Sequence, residues 1–146
     1  MALDIETVLA PVDASERGYE ALDSALAVAE RYGASLHVLH VVNESVARGL
    51  ETGDVDPDAV AADHQAVIDD TEDLAEGVPV SHSTAVGFSP ARLAQHPGSV
   101  ILDAAEEVGA DFIVVPRETP TGDPDEALGK SALYVVEYAS QPVLSV

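Results

Sequence analysis

Short apolar runs alternate along the chain with longer segments in which apolar residues recur every three or four positions. Short continuous apolar runs are typical of strands buried in a parallel sheet, and the longer period is typical of amphipathic helices. The pattern predicts strands over residues 7–13, 35–42, 78–86, 111–115 and 141–146, and helices over 16–31, 58–76, 99–108 and about 126–139.

Capping residues and helix breakers separate these elements. Ser15 suits the N-cap of the first helix, and Gly33 and Gly77 follow the first two helices as C-terminal caps. Residues 43–57 hold two glycines, a proline and four acids, so we expect a loop there. Residues 87–98 hold two prolines and two glycines, and we expect an irregular insert.

The order of the predicted elements indicates the fold class. Strand, helix and strand follow one another within about forty residues, so the first two strands should be parallel with a right-handed crossover. Five strands alternating with helices predict a doubly wound α/β fold, with a parallel sheet covered by helices on both faces. The chain has no internal repeat, and its 146 residues are predicted to form a single domain. Residues 78–86 alternate in polarity and should form an edge strand.

The charge of the chain is strongly acidic. Twenty-seven acidic residues face six basic ones, of which one is lysine, and the formal net charge is −21. Self-repulsion of this size is screened at molar salt, where the Debye length is about 3 Å. The composition therefore predicts a protein adapted to a salt-rich cytoplasm, and it argues against nucleic acid or anionic membranes as direct partners. The alternative is that the charge describes the habitat alone and carries no information about activity.

Other functions are excluded by residues that the sequence lacks. Cysteine is absent, which excludes disulfides, thiol catalysis and zinc-thiolate sites. No run of apolar residues is long enough to predict a transmembrane helix, and the first residues do not resemble a signal peptide. We therefore expect a cytoplasmic protein.

The histidines do not predict a metal site or a catalytic set. His37 and His40 are three residues apart on a strand, so their side chains should face opposite sides of the sheet. Ser15 lacks the flanking glycines of a nucleophile turn. Of the five histidines, His40 is the one closest to the predicted carboxyl edge of the sheet, near Asp13.

Asp13 marks the end of the first predicted strand. Open α/β sheets bind ligands at the carboxyl ends of their strands, so this carboxylate is a candidate binding group. The alternative is structural, because aspartate is common at such positions as a cap for the following turn.

Four parts of the chain together resemble the universal stress protein family. They are residues 8–15 (VLAPVDAS), 36–42 (LHVLHVV), 101–115 (ILDAAEEVGADFIVV), and Leu128-Gly129 followed by residues 141–144 (QPVL). The resemblance covers essentially the whole chain and implies a sheet order of 3-2-1-4-5. It also implies a homodimer formed through the C-terminal strand, in which Val143, Leu144 and Val146 would lie at the dimer edge.

The resemblance also implies a place for ATP, and the sequence departs from it. Family members that bind ATP carry Gly, two residues, Gly, nine residues, Gly, then Ser or Thr after the fourth strand. The corresponding residues here are Pro116, Thr119 and Gly129, with Lys130 next and Ser131 one place late. Proline has no N–H to offer a phosphate, and a β-branched residue resists the required conformation. This predicts that family-type ATP binding is lost.

The adenosine half of the implied site is better preserved. Pro11, Val12 and Asp13 match the positions that hold adenine and ribose, and Val41 matches the position whose backbone reads adenine. On the phosphate side, residues 116–126 contain four carboxylates and a single arginine. The candidate nucleotide-binding residues are Pro11, Val12, Asp13, Val41, Val115, Arg117, Gly129, Lys130 and Ser131, with Mg²⁺ as a possible bridge to the acids.

Three functional hypotheses remain open. The first is a homodimeric regulatory or protective protein without turnover, a cofactor or family-type ATP binding. The second is an ATP- or AMP-binding stress protein with slow or no hydrolysis. The third is an adaptor that binds a transporter or another stress protein through residues 87–98.

Overall fold

The computed structural model of the protein describes residues 4–12, 16–42, 44–86, 97–116 and 132–146. Strands and helices alternate along these segments, as the apolar pattern predicted. The strands are β1 (Thr7–Val12), β2 (Ser35–Val42), β3 (Val80–Val86), β4 (Phe112–Val115) and β5 (Val143–Ser145). The helices are α1 (Glu16–Tyr32), α2 (Glu44–Thr52), α3 (Pro57–Leu74), α4 (Pro97–Val108) and α5 (Ala132–Tyr138).

The five strands form one sheet in the order β3-β2-β1-β4-β5. All four pairings between neighbouring strands are parallel, so the predicted doubly wound α/β fold and its strand order are confirmed. β1 lies at the centre and β3 at one edge, as its alternating polarity predicted. The strand order reverses between β1 and β4. The chain passes from β1 outward through β2 to β3, and then crosses back to add β4 and β5 on the other side of β1.

Two hydrophobic clusters pack against opposite faces of the sheet. Helices α1 and α3 cover one face and α4 and α5 cover the other. Three alanines of α1 are fully buried beside Leu22, and their small side chains let this helix pack closely on the sheet. The first cluster includes Val8, Ala10, Val12, Leu36, Val38, Val114, Ala21, Leu22, Ala25, Ala29 and Val67, and the second includes Leu9, Leu39, Val41, Ile113, Val115, Ile101, Ala105, Ala132 and Val135.

The ends of the helices follow the capping residues of the sequence. Gly33 directly follows α1 with a φ of +65°, in the left-handed region that glycine adopts without strain. The carboxylate of Asp56 accepts from the backbone N–H of Asp58 at 3.0 Å, and Pro57 occupies the first position of α3. These contacts fix the start of α3 one residue before the predicted start.

The prediction of a loop over residues 43–57 is wrong for its first half, where α2 forms. Gly49 was interpreted as a helix breaker, but it lies within the helix against Val55. A Cβ at position 49 would lie 2.9 Å from Cβ of Val55, which no larger residue tolerates without movement. The backbone N–H of Val55 also donates to the Gly49 carbonyl at 2.9 Å. The glycine therefore serves close packing, a role that local sequence pattern does not reveal.

Other element boundaries differ by a few residues. Helix α4 begins at Pro97, two residues before the predicted cap, because proline is well tolerated in the first turn of a helix. Residues 87–96, the rest of the predicted insert, lie outside the described residues. Strand β3 begins at Val80, since the N–H of Val78 donates to the Ala75 carbonyl in a turn. The predicted start of α5 before Ala132 also lies outside the described residues.

Asp111 connects the start of β4 to β1. Its carboxylate accepts hydrogen bonds from the backbone N–H groups of Glu6 and Thr7, at 3.0 and 3.1 Å. Its own backbone N–H donates to the Thr7 carbonyl at 2.8 Å. These three bonds fix the register of the two central strands at the amino end of the sheet, and so determine which residues meet at the other end.

Candidate functional site

The candidate site lies at the carboxyl ends of β1 and β4. In a doubly wound sheet the crevice outside these ends, where the strand order reverses, is the usual place for a ligand. β1 ends at Val12 and β4 at Val115. β2 also ends at this edge of the sheet, because all three strands run in the same direction.

Pro11 faces β4 without a hydrogen-bond donor. The Glu6 carbonyl accepts from the N–H of Ser35 on the β2 side, and the Thr7 carbonyl accepts from the N–H of Asp111 on the β4 side. Successive residues of β1 therefore direct their backbone groups to alternate neighbours. Thr7 and Pro11 are separated by an even number of positions, so Pro11 faces β4, and its ring has no N–H to donate.

The strand pairing reflects this missing donor. β1 pairs with β4 as far as Leu9 and Ile113, whereas it pairs with β2 as far as Val12 and His40. The ladder between β1 and β4 thus stops before the strands end. Pro11 accounts for this, since a proline removes one ladder hydrogen bond in the middle of a sheet. The result is an interruption of the ladder at the reversal point, which sequence reasoning did not predict.

The predicted contact residues that the structure describes meet at this edge, but their side chains are buried. Pro11, Val12, Val41 and Val115 all lie within the core. Val12 packs toward α1, whereas Val41 and Val115 pack toward α4 and α5. A ligand in the crevice would therefore meet mainly their backbone groups, as the resemblance implied for Val41.

The side chain and carbonyl of Val115 are used within the fold, which leaves them less available to contact a ligand. Its side chain is fully buried, and its carbonyl accepts from the backbone N–H of Val146 at 2.9 Å. Pro116, which follows it, is also buried. The remaining candidates lie outside the described residues: Asp13, Arg117, Gly129, Lys130 and Ser131.

Comparison with models of protein families shows which family the chain is related to. The family model described as the universal stress protein family matches residues 4–146. The chain belongs to the universal stress protein family. The resemblance found in its four sequence segments is therefore confirmed. A search of curated proteins found no match to this chain.

Solved structures of the family share the fold. Universal stress protein UspA from Lactobacillus plantarum is 24% identical, with a TM-score of 0.74 over 99% of each chain. A universal stress protein in complex with cAMP is 20% identical, with a TM-score of 0.67 over 98% of this chain and 97% of that one. The universal stress protein from Archaeoglobus fulgidus in complex with dAMP is 20% identical, with a TM-score of 0.62 over 99% and 98% of the two chains.

The histidines of this family member lie on both faces of the sheet. His37 and His40 face opposite sides, as predicted. His37 is buried, and its two ring nitrogens lie 2.7 Å from the hydroxyl oxygens of Ser81 and Ser83. Burial lowers the pKa of His37, and the nearby His82 lowers it further. The neutral imidazole therefore bridges two serines of β3.

On the other face, three histidines and a threonine lie between α3 and the strands β2 and β3. Nδ1 of His40 lies 3.1 Å from Nδ1 of His64, and the two rings stack with centroids 5.1 Å apart. The hydroxyl of Thr84 lies 3.3 Å from Nε2 of His64. His40, His64, His82 and Thr84 are called the histidine cluster below. Within the described segments no group of three or more residues is arranged to hold a metal ion.

Large apolar side chains are exposed on β5 and on α5. Leu144 is 39% exposed in β5, and Leu133, Val136 and Tyr138 of α5 are exposed to a greater extent. Val143 and Val146, the other predicted dimer-edge residues, are partly buried. In the part of the chain that the structure describes, no helix is long and apolar enough to cross a membrane.

Proposed function

We propose that this chain is a homodimeric regulatory protein of the stress response that acts without the family's mode of ATP binding. The observation that carries the proposal is Pro116, buried directly after β4. It occupies the position at which ATP-binding relatives have the first glycine of the phosphate segment. Its ring removes the backbone N–H, and its fixed φ excludes the conformations that glycine supplies.

The charge of the following segment supports the same proposal. Residues 116–126 carry four carboxylates and one arginine. A triphosphate brought to this segment would meet a negative field, because the acids outnumber the basic group that could balance it. A divalent cation could reduce that repulsion, but it would not replace the missing backbone donor of Pro116.

The second candidate function is the binding of an adenine mononucleotide in the same crevice. The interruption of the ladder next to Pro11 supports it, because a base could lie against the strand ends there and meet backbone groups. Two structural neighbours were solved in complex with cAMP and dAMP, which are ligands with a single phosphate. A mononucleotide would use the adenosine half of the site and would need less of the altered phosphate segment.

Calorimetric titration separates the two candidates. The protein in molar KCl with Mg²⁺ is titrated with ATP, AMP and cAMP, and the Asp13→Ala variant serves as the comparison. If the chain lacks the family's mode of ATP binding, we expect no micromolar binding of ATP. Micromolar binding of AMP or cAMP that is lost in Asp13→Ala would favour the second candidate. Micromolar ATP binding that is lost in the same variant would contradict the primary proposal.

The dimer is proposed to form through β5. This strand lies at one end of the sheet, with its pairing to β4 on one side. An edge strand offers backbone donors and acceptors to another chain, and a two-fold axis would bring two copies together antiparallel. Leu144 would then lose contact with water. The proposed adaptor role stays a prediction, since residues 87–96 of its insert lie outside the described residues.

A further inference from the structure

The imidazole of His37 lies between two serine hydroxyls of the neighbouring strand. Its Nδ1 is 2.7 Å from Oγ of Ser81, and its Nε2 is 2.7 Å from Oγ of Ser83. The three side chains meet because β2 and β3 are parallel and in register, with His37 opposite Ser81 and Leu39 opposite Ser83. His37 and Ser81 are 44 positions apart in the chain, so their contact was not evident from the sequence.

The ring of His37 can act as a base toward one serine while the other serine holds it in place. A neutral imidazole has one N–H that donates and one bare nitrogen that accepts. With its proton on Nε2, the ring donates to Ser83 and accepts the O–H of Ser81 at Nδ1. Burial lowers the pKa of His37, and His82 of the histidine cluster lowers it further, so the ring is neutral near pH 7 and Nδ1 is free to take a proton.

Ser81 is the member of this group that solvent reaches most easily. It is exposed, whereas Ser83 is partly buried and His37 is only 8% exposed. A reagent arriving from water therefore meets the hydroxyl of Ser81 first. A nucleophile and a base within hydrogen-bond distance, with the base oriented by a third group, are the parts of a nucleophilic site. Ser81, His37 and Ser83 fill these three roles.

The backbone next to Ser81 offers a donor for a developing negative charge. The Pro79 carbonyl accepts from the N–H of Leu36 on β2, and successive residues of a strand direct their backbone groups to alternate sides. Residues 79 and 81 therefore face β2, and the N–H of His82 points away from it. Within the described residues, β3 is the last strand on this side of the sheet. The N–H of the residue after the nucleophile is a common oxyanion donor in acyl transfer.

We propose that Ser81 is a nucleophilic site that accepts an acyl group from small activated esters, with His37 as its base and Ser83 as the residue that positions this base. Oγ of Ser81 bonds to the carbonyl carbon while its proton passes to Nδ1 of His37. The bond from that carbon to the leaving oxygen then breaks, and the leaving oxygen takes the proton from Nδ1. The products are an acyl ester of Ser81 and a free alcohol or phenol, with no oxidation or reduction.

This site is separate from the crevice at the carboxyl ends of the strands. His37 is the third residue of β2 and Ser81 the second residue of β3, so both lie toward the amino ends of their strands. The proposal therefore does not depend on whether a nucleotide binds, and it is independent of the proposed function.

Acetylation by p-nitrophenyl acetate tests the proposal on the full chain in molar KCl. The reaction is run at about pH 7.5, where a histidine of lowered pKa is neutral, and is stopped with acid at short times. Peptide mass spectrometry then locates the acetyl group. Ser140 is the internal control, because it is an exposed serine whose hydroxyl contacts the side chain of Gln141 instead of a histidine. We expect Ser81 to be acetylated about a hundredfold faster than Ser140, which is the effect of a positioned general base.

Variants separate the three roles, once circular dichroism has shown that each is folded. His37→Gln keeps a polar side chain but has no base, and acetylation of Ser81 should fall by about a hundredfold. Ser83→Ala should slow acetylation to a smaller extent, and Ser83→Thr, which keeps the hydroxyl in a side chain suited to a strand, should restore it. The proposal is overturned if Ser81 reacts no faster than Ser140 in the native chain, a comparison that needs no variant to fold, or if folded His37→Gln is acetylated at Ser81 at the native rate.

Discussion

Gly98 of α4 and Tyr134 of α5 pack so closely that a side chain at position 98 would collide with the tyrosine. A Cβ there would lie 2.8 Å from both Cβ and Cγ of Tyr134. Gly98 is therefore a contact point between the two helices that cover one face of the sheet. We expect Gly98→Ala to lower the free energy of unfolding by about 1–3 kcal/mol through overpacking, as measured by urea denaturation in molar KCl.

A double mutant checks the cause of this loss. In a Tyr134→Gly background both close atoms of residue 134 are absent, so adding Gly98→Ala should cost little or should stabilise the helix. Equal losses in both backgrounds would show that the close approach to Tyr134 is not the reason for glycine at this position.

Asp111 provides a second prediction, at the amino end of the sheet. Its carboxylate accepts from the N–H groups of Glu6 and Thr7, and Asp111→Ala leaves both without this acceptor. Hydrogen bonds to a charged group are strong, so we expect a loss of about 1–3 kcal/mol in the free energy of unfolding. Asp103→Ala, at an exposed position of α4, should change stability by less than about 0.5 kcal/mol. Similar effects of the two variants would contradict a specific role for Asp111.

Much of this fold follows from periodicity alone. β2 has the predicted boundaries and β1 begins at the predicted residue, because continuous apolar runs next to a glycine or an acid leave few alternatives. The strand order came from the family resemblance, since no local pattern states which strands are neighbours. β5 is shorter than predicted, as pairing with β4 and not polarity determines its length.

Other features depend on contacts between distant residues and were not predictable from the sequence. Gly49 was interpreted as a helix breaker because the sequence does not reveal its close contact with Val55. That contact exists only in the folded chain. The meeting of His40 and His64 depends on where α3 crosses the sheet. The interrupted pairing beside Pro11 could have been predicted in principle, because a proline inside a central strand must interrupt the pairing on one side.

The bridge formed by His37 predicts a dependence of stability on pH. Burial, followed by the influence of His82, lowers its pKa from the ordinary value of 6.5. The unfolded chain therefore binds a proton at a higher pH than the folded chain does. The stability associated with neutral His37 is complete above about pH 6.5 and is lost as the pH falls through the folded-state value.

Urea unfolding between about pH 7.5 and about pH 5.5 measures this effect. We expect the free energy of unfolding to fall with pH in the native sequence and to fall less steeply in His37→Asn, which has no imidazole to protonate. A residual slope is expected from His82, whose pKa is also lowered. Identical slopes in the two proteins would contradict the assignment to His37.

The net charge of −21 predicts that salt stabilises the fold. Raising KCl from about 0.1 M to about 3 M shortens the Debye length from about 10 Å to a few ångströms or less, which screens repulsion among the carboxylates. The melting temperature should therefore rise across this range. NaCl should act similarly at equal ionic strength, because screening does not depend on the identity of the cation. A melting temperature that is flat in KCl would count against adaptation to a salt-rich cytoplasm.

Leu144 provides the test of the proposed dimer. It is 39% exposed on the edge strand, and a two-fold axis would place both copies of the residue in the same interface. Leu144→Asp would bring two carboxylates into an apolar contact, so we expect a monomer by light scattering in molar KCl where the native chain is a dimer. Leu74→Asp is the matched control, because Leu74 is 47% exposed at the end of α3, which packs on β3 at the opposite edge of the sheet. A native chain that is monomeric at all concentrations, or a Leu144→Asp variant that remains dimeric, would refute the β5 interface.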